Sequence, residues 1–249
     1  METPKQKLNV MKKVSKLSSV SLVLFVLGFL ALVQSANATT IYVTPAGATT
    51  SDGSVNAQAF FTLNTGSISL TLNNLFQNPT ADGQLLSGIN FNVSGVSGSG
   101  NLTTTNSGNL STINADGSYS AGVSNPLTRW EASKSGTAIS LTTLSGDKPN
   151  SLIIGPDSAG GFTQAGRYNN ANSSIIQHDP SILGSATFNI VIPGVTPGST
   201  LSSVNFQFGT AAGSNLVPGT PASPVPLPGA LLLFGPGLAG LVALRRMFH

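Results

Sequence analysis

The chain has 249 residues, no cysteine, 28 glycines, 15 prolines and only 11 basic and 8 acidic side chains. That glycine and proline content excludes a coiled coil and argues against a mostly helical globule, while the missing cysteine excludes disulfide frameworks, thiol nucleophiles and cysteine-ligated metals. The net charge of +3 sits at the two ends: residues 39–228 hold Arg129, Lys134, Lys148 and Arg167 against seven acids, which leaves no clustered basic footprint for backbone phosphates and no nucleic-acid partner to expect.

Five lysines, the last being Lys16, precede an apolar run from Val20 to Val33, and Ala36-Asn37-Ala38 follows. A basic stretch, a short apolar stretch and small residues at −3 and −1 are the parts of a secretory signal peptide, so residues 1–38 read as a leader cut after Ala38 by signal peptidase once the secretion machinery engages it. A retained signal anchor and a buried core helix are the alternatives. Fourteen residues of helix reach only about 21 Å, against roughly 30 Å of hydrocarbon.

Residues 39–217 form the exported body. Alternation of polar and apolar residues over 54–63 places Val55, Ala57, Ala59, Phe61 and Leu63 on one face. The same period of two recurs at Ile68, Leu70 and Leu72, at Ile89, Phe91 and Val93, at Phe188, Ile190 and Ile192, and at Val204, Phe206 and Phe208. Period two predicts strands with one buried face. Asn64-Thr65-Gly66, Asn78-Pro79, Asp82-Gly83, Asp116-Gly117, Gly146-Asp147, Pro193-Gly194 and Pro197-Gly198 supply turns between them. Roughly eight to eleven short strands punctuated in this way predict an all-β fold, an antiparallel β-sandwich or jelly-roll-like body. Between Ser94 and Ser118, Gly, Ser, Thr and Asn dominate, and residues 101–106 repeat approximately at 109–114. Two copies are too few for a solenoid, so a long loop or an exposed polar hairpin is expected there.

The body offers little to catalysis. His178, beside Asp179, is its single histidine, which excludes a histidine-rich metal centre in one chain and reads as a turn or loop residue. There is no Gly-x-Ser-x-Gly elbow, no dinucleotide fingerprint and no Walker sequence, and Asp157 near Gly160-Gly161 reads as turn chemistry. No EF-hand loop or dense acidic repeat suggests calcium, and no cofactor is expected. Arg129-Trp130-Glu131 is the one place where a sugar-stacking ring, a cation and an acid coincide. Trp130 reads first as a half-buried sheet residue, with a carbohydrate platform as the alternative; Glu131 is the one body glutamate a glycoside hydrolase could use, given a second carboxylate about 5–9.5 Å away.

Pro218, Pro221 and Pro224 punctuate residues 218–224, which read as an extended linker. Residues 225–249 follow: Val225-Pro226-Leu227-Pro228, apolar residues from Gly229 to Leu244, then Arg245-Arg246. Sixteen residues make about 24 Å of helix, enough for a membrane segment with local thinning and arginine snorkelling. Lysines before the first apolar segment and arginines after the second both stay cytoplasmic under the positive-inside rule, which leaves the body outside.

This tail resembles that of PEP-CTERM proteins, exported by Gram-negative, often exopolysaccharide-producing bacteria. Pro226-Leu227-Pro228 matches their Pro-x-Pro motif, Leu231 to Leu244 their apolar helix and Arg245-Arg246 their basic cluster, and Gly237-Leu238-Ala239-Gly240-Leu241 matches a frequent phrase. Leu227 replaces the glutamate of the family name, and Pro236 interrupts the helix. The resemblance covers about 25 residues and implies processing by exosortase, a membrane protease-transpeptidase that would be the partner of this chain. It also implies a non-enzymatic surface or matrix protein, transiently membrane-anchored, in contact with matrix exopolysaccharide, and it casts residues 204–210 as a closing strand.

Overall fold

The computed structural model describes residues 38–120, 122–145, 149–169, 171 and 173–222. Alternation dictates the first layer. In β4 (Ala57–Asn64) and β5 (Ser67–Asn74) every second residue is buried, and Thr65-Gly66 joins them as a two-residue hairpin with Gly66 at φ 77°. β1 (Thr39–Val43) pairs with β4, and β13 (Ser181–Val191) pairs with β5 on one side and β8 (Thr104–Ser111) on the other. The layer runs β16 (Thr220–Pro221), β1, β4, β5, β13, β8, β9 (Val123–Asn125).

The second layer is built on β6 (Leu86–Val93), which pairs with β11 (Ala138–Thr142) and β14 (Leu201–Phe208). β10 (Glu131–Ser135) and then β7 (Ser99–Leu102) extend it beyond β11, and β15 (Leu216–Pro218) closes the β14 side. The layers are hydrogen-bonded through β12 (Ile153–Ile154), which pairs with Leu86 of β6 and with Ile182 and Leu183 of β13. A separate two-strand ribbon joins β2 (Thr49–Thr50) to β3 (Gly53–Ser54).

Inner faces of the two layers share one core. Phe61 of β4 meets Phe91 of β6 edge to face at 5.0 Å, and Tyr42 of β1 packs on Phe61 at 5.8 Å. Phe61, Ile68, Leu72, Ile89, Phe206 and Phe208 are completely buried, each contributing roughly 1.5–3 kcal/mol by leaving water. A satellite cluster of Leu85, Ile113, Tyr119, Leu152, Ile154, Tyr168 and Ile175 lies beyond β12, under the 155–169 loop and the single-turn helix α1 (Ser173–Ile176). The junction between these cores needs polar groups, and they are satisfied. Asn74 Nδ2 donates to the carbonyls of Gln84 (2.9 Å) and Ile153 (2.8 Å), while Gln84 Oε1 accepts from Thr80 N (2.7 Å) and Ala81 N (3.2 Å).

The fold is all-β and sandwich-like, with three departures from expectation. Sixteen strands are described, several of two or three residues, and the β12–β13 pairing is parallel, so the sheet is mixed. Residues 94–118 form neither a long loop nor a hairpin: β7 pairs with β10, and β8 pairs with β13 over seven register positions. The expected linker from Pro218 begins inside the sheet, since Pro218 pairs with Asn205 and Pro221 with Tyr42. Among the described residues no helix is long and apolar enough to cross a membrane. The leader and the 225–249 tail lie outside the described residues, apart from Ala38.

Candidate functional site

Trp130 precedes β10 and faces the core. It is 2% exposed, its ring stacks obliquely on Phe188 at 4.9 Å, and its Nε1 donates to the Ser151 carbonyl at 2.8 Å. A buried indole with its one donor satisfied offers no face to a sugar; nor is Trp130 the half-buried sheet residue expected, since it is fully buried and lies one position ahead of β10. Arg129 and Glu131 flank it on the exposed side, Glu131 opposite Thr142 of β11. The three residues that coincide in sequence are thus split between core and solvent at the entry to β10.

His178 occupies the turn after α1, with Nδ1 2.7 Å from the Pro149 carbonyl, an acceptor that fixes this nitrogen as the donor. Asp179 Oδ2 accepts from Ile113 N at 2.9 Å and its Oδ1 from Ser181 Oγ at 3.3 Å. Burial pushes the Asp179 carboxyl up to about 6, against the opposing pull of those hydrogen bonds and of neighbouring His178. The pair ties the start of β13 to residue 113, which pairs with Tyr119 across the Asp116-Gly117 turn.

Sequence reasoning missed a polar group inside the satellite core. Asp157 is completely buried; its Oδ2 accepts from Tyr119 Oη at 2.7 Å and its Oδ1 from Ala159 N (2.8 Å) and Gly161 N (3.3 Å). Tyr119 and Tyr168 rings lie 5.3 Å apart, and Tyr168 Oη donates to the Gly155 carbonyl at 2.9 Å. Desolvation raises both phenols above their ordinary range, and for Tyr119 the bond to Asp157 adds to it, so both remain protonated donors. With these three donors on it, Asp157 holds the 155–169 loop closed. The one advance signal was Asp157 ahead of Gly160-Gly161, which matches the two backbone donors and says nothing of the tyrosines.

An open groove of about 620 Å³ lies beside this cluster, lined by Thr80, Ala115, Asp116, Arg167, Asn169 and Ala171 among others. Asp116 accepts from Ser118 Oγ (2.6 Å) and Ser118 N (3.0 Å) and pairs with the Arg167 guanidinium. Those bonds hold its carboxyl down to about 2, the Ser118 hydroxyl contributing most. Both charged groups of the groove are engaged with each other.

Of the expected processing residues only Ala38 is among the described residues. Ala38 is exposed and directly precedes β1, whose first residue Thr39 pairs with Thr62. Ala36 and the tail residues Val225, Pro226, Leu227, Pro228, Arg245 and Arg246 lie outside the described residues. No family model, no curated protein and no solved structure matches the chain.

Proposed function

We propose that the chain is an exported, non-enzymatic cell-surface or extracellular-matrix protein of a Gram-negative bacterium, its leader removed after Ala38 and its tail recognised by an exosortase-type membrane enzyme. The observation that carries this reading is the sequence of the tail: Val225-Pro226-Leu227-Pro228, sixteen mostly apolar residues and Arg245-Arg246, in one chain with a basic leader. The body is consistent with it, because β1 begins at Thr39, the residue that cleavage after Ala38 would leave first. A glycan contact through Trp130 forms no part of the proposal, since the indole is buried. Hydrolysis through Glu131 forms no part of it either.

Intact-mass analysis of protein recovered separately from membrane, outer surface and medium tests the reading. The membrane form is expected to begin at Thr39 and retain Arg245-Arg246, and the released form to begin at Thr39 and end within the tail. Material found only in the cytosol, running from Met1 to His249, would overturn it.

A further inference from the structure

The outer faces of the two layers use their polar groups differently. On the first layer outward groups bond to one another: Thr39 Oγ1 lies 3.1 Å from Thr62 Oγ1, Asn64 Nδ2 donates to Ser69 Oγ at 3.2 Å, and Ser107 Oγ meets Thr187 Oγ1 at 2.8 Å. The second layer carries an open hollow of about 310 Å³, lined by Asn90, Asn92, Ser133, Ser140, Ser203 and Asn205 among others. Register sets its floor. Ser133 of β10 stands opposite Ser140 of β11, Ser140 opposite Asn90 of β6, and Asn90 opposite Asn205 of β14. Four strands about 4.8 Å apart make that row roughly 14 Å long. Their chain neighbours Ala132, Ile139, Ile89 and Phe206 are buried in the core, so the row itself faces outward.

The row is also uncommitted. Among the described residues the side chains of Asn90, Asn92, Ser133 and Ser140 make no hydrogen bond within the protein, although Asn90, Asn92 and Ser140 are half-buried. Asn205 Nδ2 donates to the Ser203 carbonyl at 2.9 Å, at a bulge where Ser203 takes φ 51°, and its Oδ1 meets no donor among the described residues. Side-chain amides and hydroxyls both donate and accept, so the ligand group that matches them is one that does both, a hydroxyl. An ion finds no counterpart there. No carboxylate lines the hollow, and its one charged residue, Lys134, donates from Nζ to the Ser97 carbonyl at 2.8 Å. The Phe91 ring packs on Phe61 in the core, so recognition rests on hydrogen bonds rather than on stacking.

We infer that this hollow is a binding site for an uncharged polysaccharide chain lying across β10, β11, β6 and β14, its hydroxyls bonded to Ser133, Ser140, Asn90 and Asn205. A repeating chain suits a row that repeats at the strand spacing, because successive hydroxyls meet successive side chains. Each contact exchanges a water for a ligand hydroxyl, so every bond adds little and affinity comes from their number. The inference deepens the function proposed above and rests on it only for bringing the chain to such a ligand outside the cell.

The test is affinity electrophoresis of the full-length chain, purified in a detergent without a sugar headgroup and run in native gels cast with hydroxyethylcellulose, dextran, galactomannan or, as an acidic counterpart, alginate. At least one of the three neutral polymers is expected to retard the protein, and alginate is not. An Asn90→Ala/Asn92→Ala/Ser140→Ala chain is expected to need about tenfold more of that polymer for the same retardation. A Ser69→Ala/Thr71→Ala chain, altered on the outer face of the first layer, should migrate as the natural protein does. Ser140→Tyr, which fills the hollow and leaves both asparagines in place, is expected to match the triple variant, so the result does not hang on one variant's folding. Three results would overturn the inference: no retardation by any neutral polymer, retardation by alginate as strong as by the neutral ones, or unchanged retardation of both hollow variants. Because the gels read purified protein, none of these depends on leader or tail processing, which the intact-mass measurement reads separately.

Discussion

Asp179 shows how one half-buried carboxyl gives the fold a pH dependence. Its folded value of about 6 lies above the ordinary aspartate value near 4, so the native state keeps a proton that the unfolded chain has already lost. The stabilisation is fully present below about pH 4 and is lost as pH rises through about 6, amounting to roughly 1 kcal/mol once solvent screening of a half-exposed group is allowed for. Asp116 acts in a separate window: its folded value of about 2 gives stability present above about pH 4 and lost only as pH falls toward 2. Asp179→Asn keeps an acceptor for Ile113 N and removes the titration. Its thermal midpoint is expected to decline less than that of the natural protein between pH 4 and pH 6, and parallel declines in scanning calorimetry would refute the assignment. Trp130 carries a different lesson at this scale. Beside Arg129 and Glu131 a sugar platform was the alternative to a half-buried sheet position, and Trp130 takes neither: just ahead of β10, its ring packs on Phe188 and its Nε1 donates to the Ser151 carbonyl, partners distant in sequence that a tripeptide does not reveal.

At the level of elements, legibility followed the contrast between the two faces of a strand. β4, β5, β6, β13 and β14 announced themselves because their inward residues are mostly apolar while their outward residues are mostly Ser, Thr, Asn or Gln, with Phe60 and Val191 as exceptions. β8 did not, because its inward positions are Thr104, Asn106, Gly108 and Leu110, covered by the loop that carries Leu127. Leu127 N donates to Asn106 Oδ1 at 2.7 Å, and a side chain at Gly108 would run into Ile182 and Leu127. A strand whose inner face is filled by a neighbouring loop needs small or amide residues there, and alternation disappears. β12 was illegible for another reason: Leu152, Ile153 and Ile154 are all buried, since β12 lies between the two layers.

The edge prolines belong to the same scale. Gly219 N and Ala222 N donate inward to Val204 and Ile41, which turns the nitrogens of Pro218 and Pro221 outward, where another strand would otherwise find a donor. These edges are therefore closed to further pairing without losing a bond to their own sheet. Replacing both prolines with threonine restores two outward N–H groups and a strand-favouring side chain. The expected result is greater concentration-dependent association in light scattering, with stability changed by no more than about 1 kcal/mol. Unchanged association would mean that the prolines serve only to end the strands.

For the whole molecule, the distribution of charge matters more than its total. The outer rows of the first layer run through Thr39, Thr62, Ser69, Asn189 and Thr105, and through Phe60, Thr71, Thr187 and Ser107, without one ionisable side chain. Solvation of that face rests on hydroxyls and amides, as in Ser107 Oγ and Thr187 Oγ1 at 2.8 Å. The basic residues that give the full chain a calculated isoelectric point of 9.4 are concentrated in the segments proposed for removal. Loss of residues 1–38 leaves six basic and seven acidic side chains, net −1, and loss of the tail leaves four against seven, net −3. Maturation should therefore carry the protein across neutrality in two steps, the first and larger due to the leader. Isoelectric focusing of the membrane and released fractions is expected to place both on the acidic side, the released form lower, with the precursor alone on the basic side. A released form that focuses above neutrality would mean that the lysines of the leader travel with the body, and the proposed topology would then have no processing event to serve.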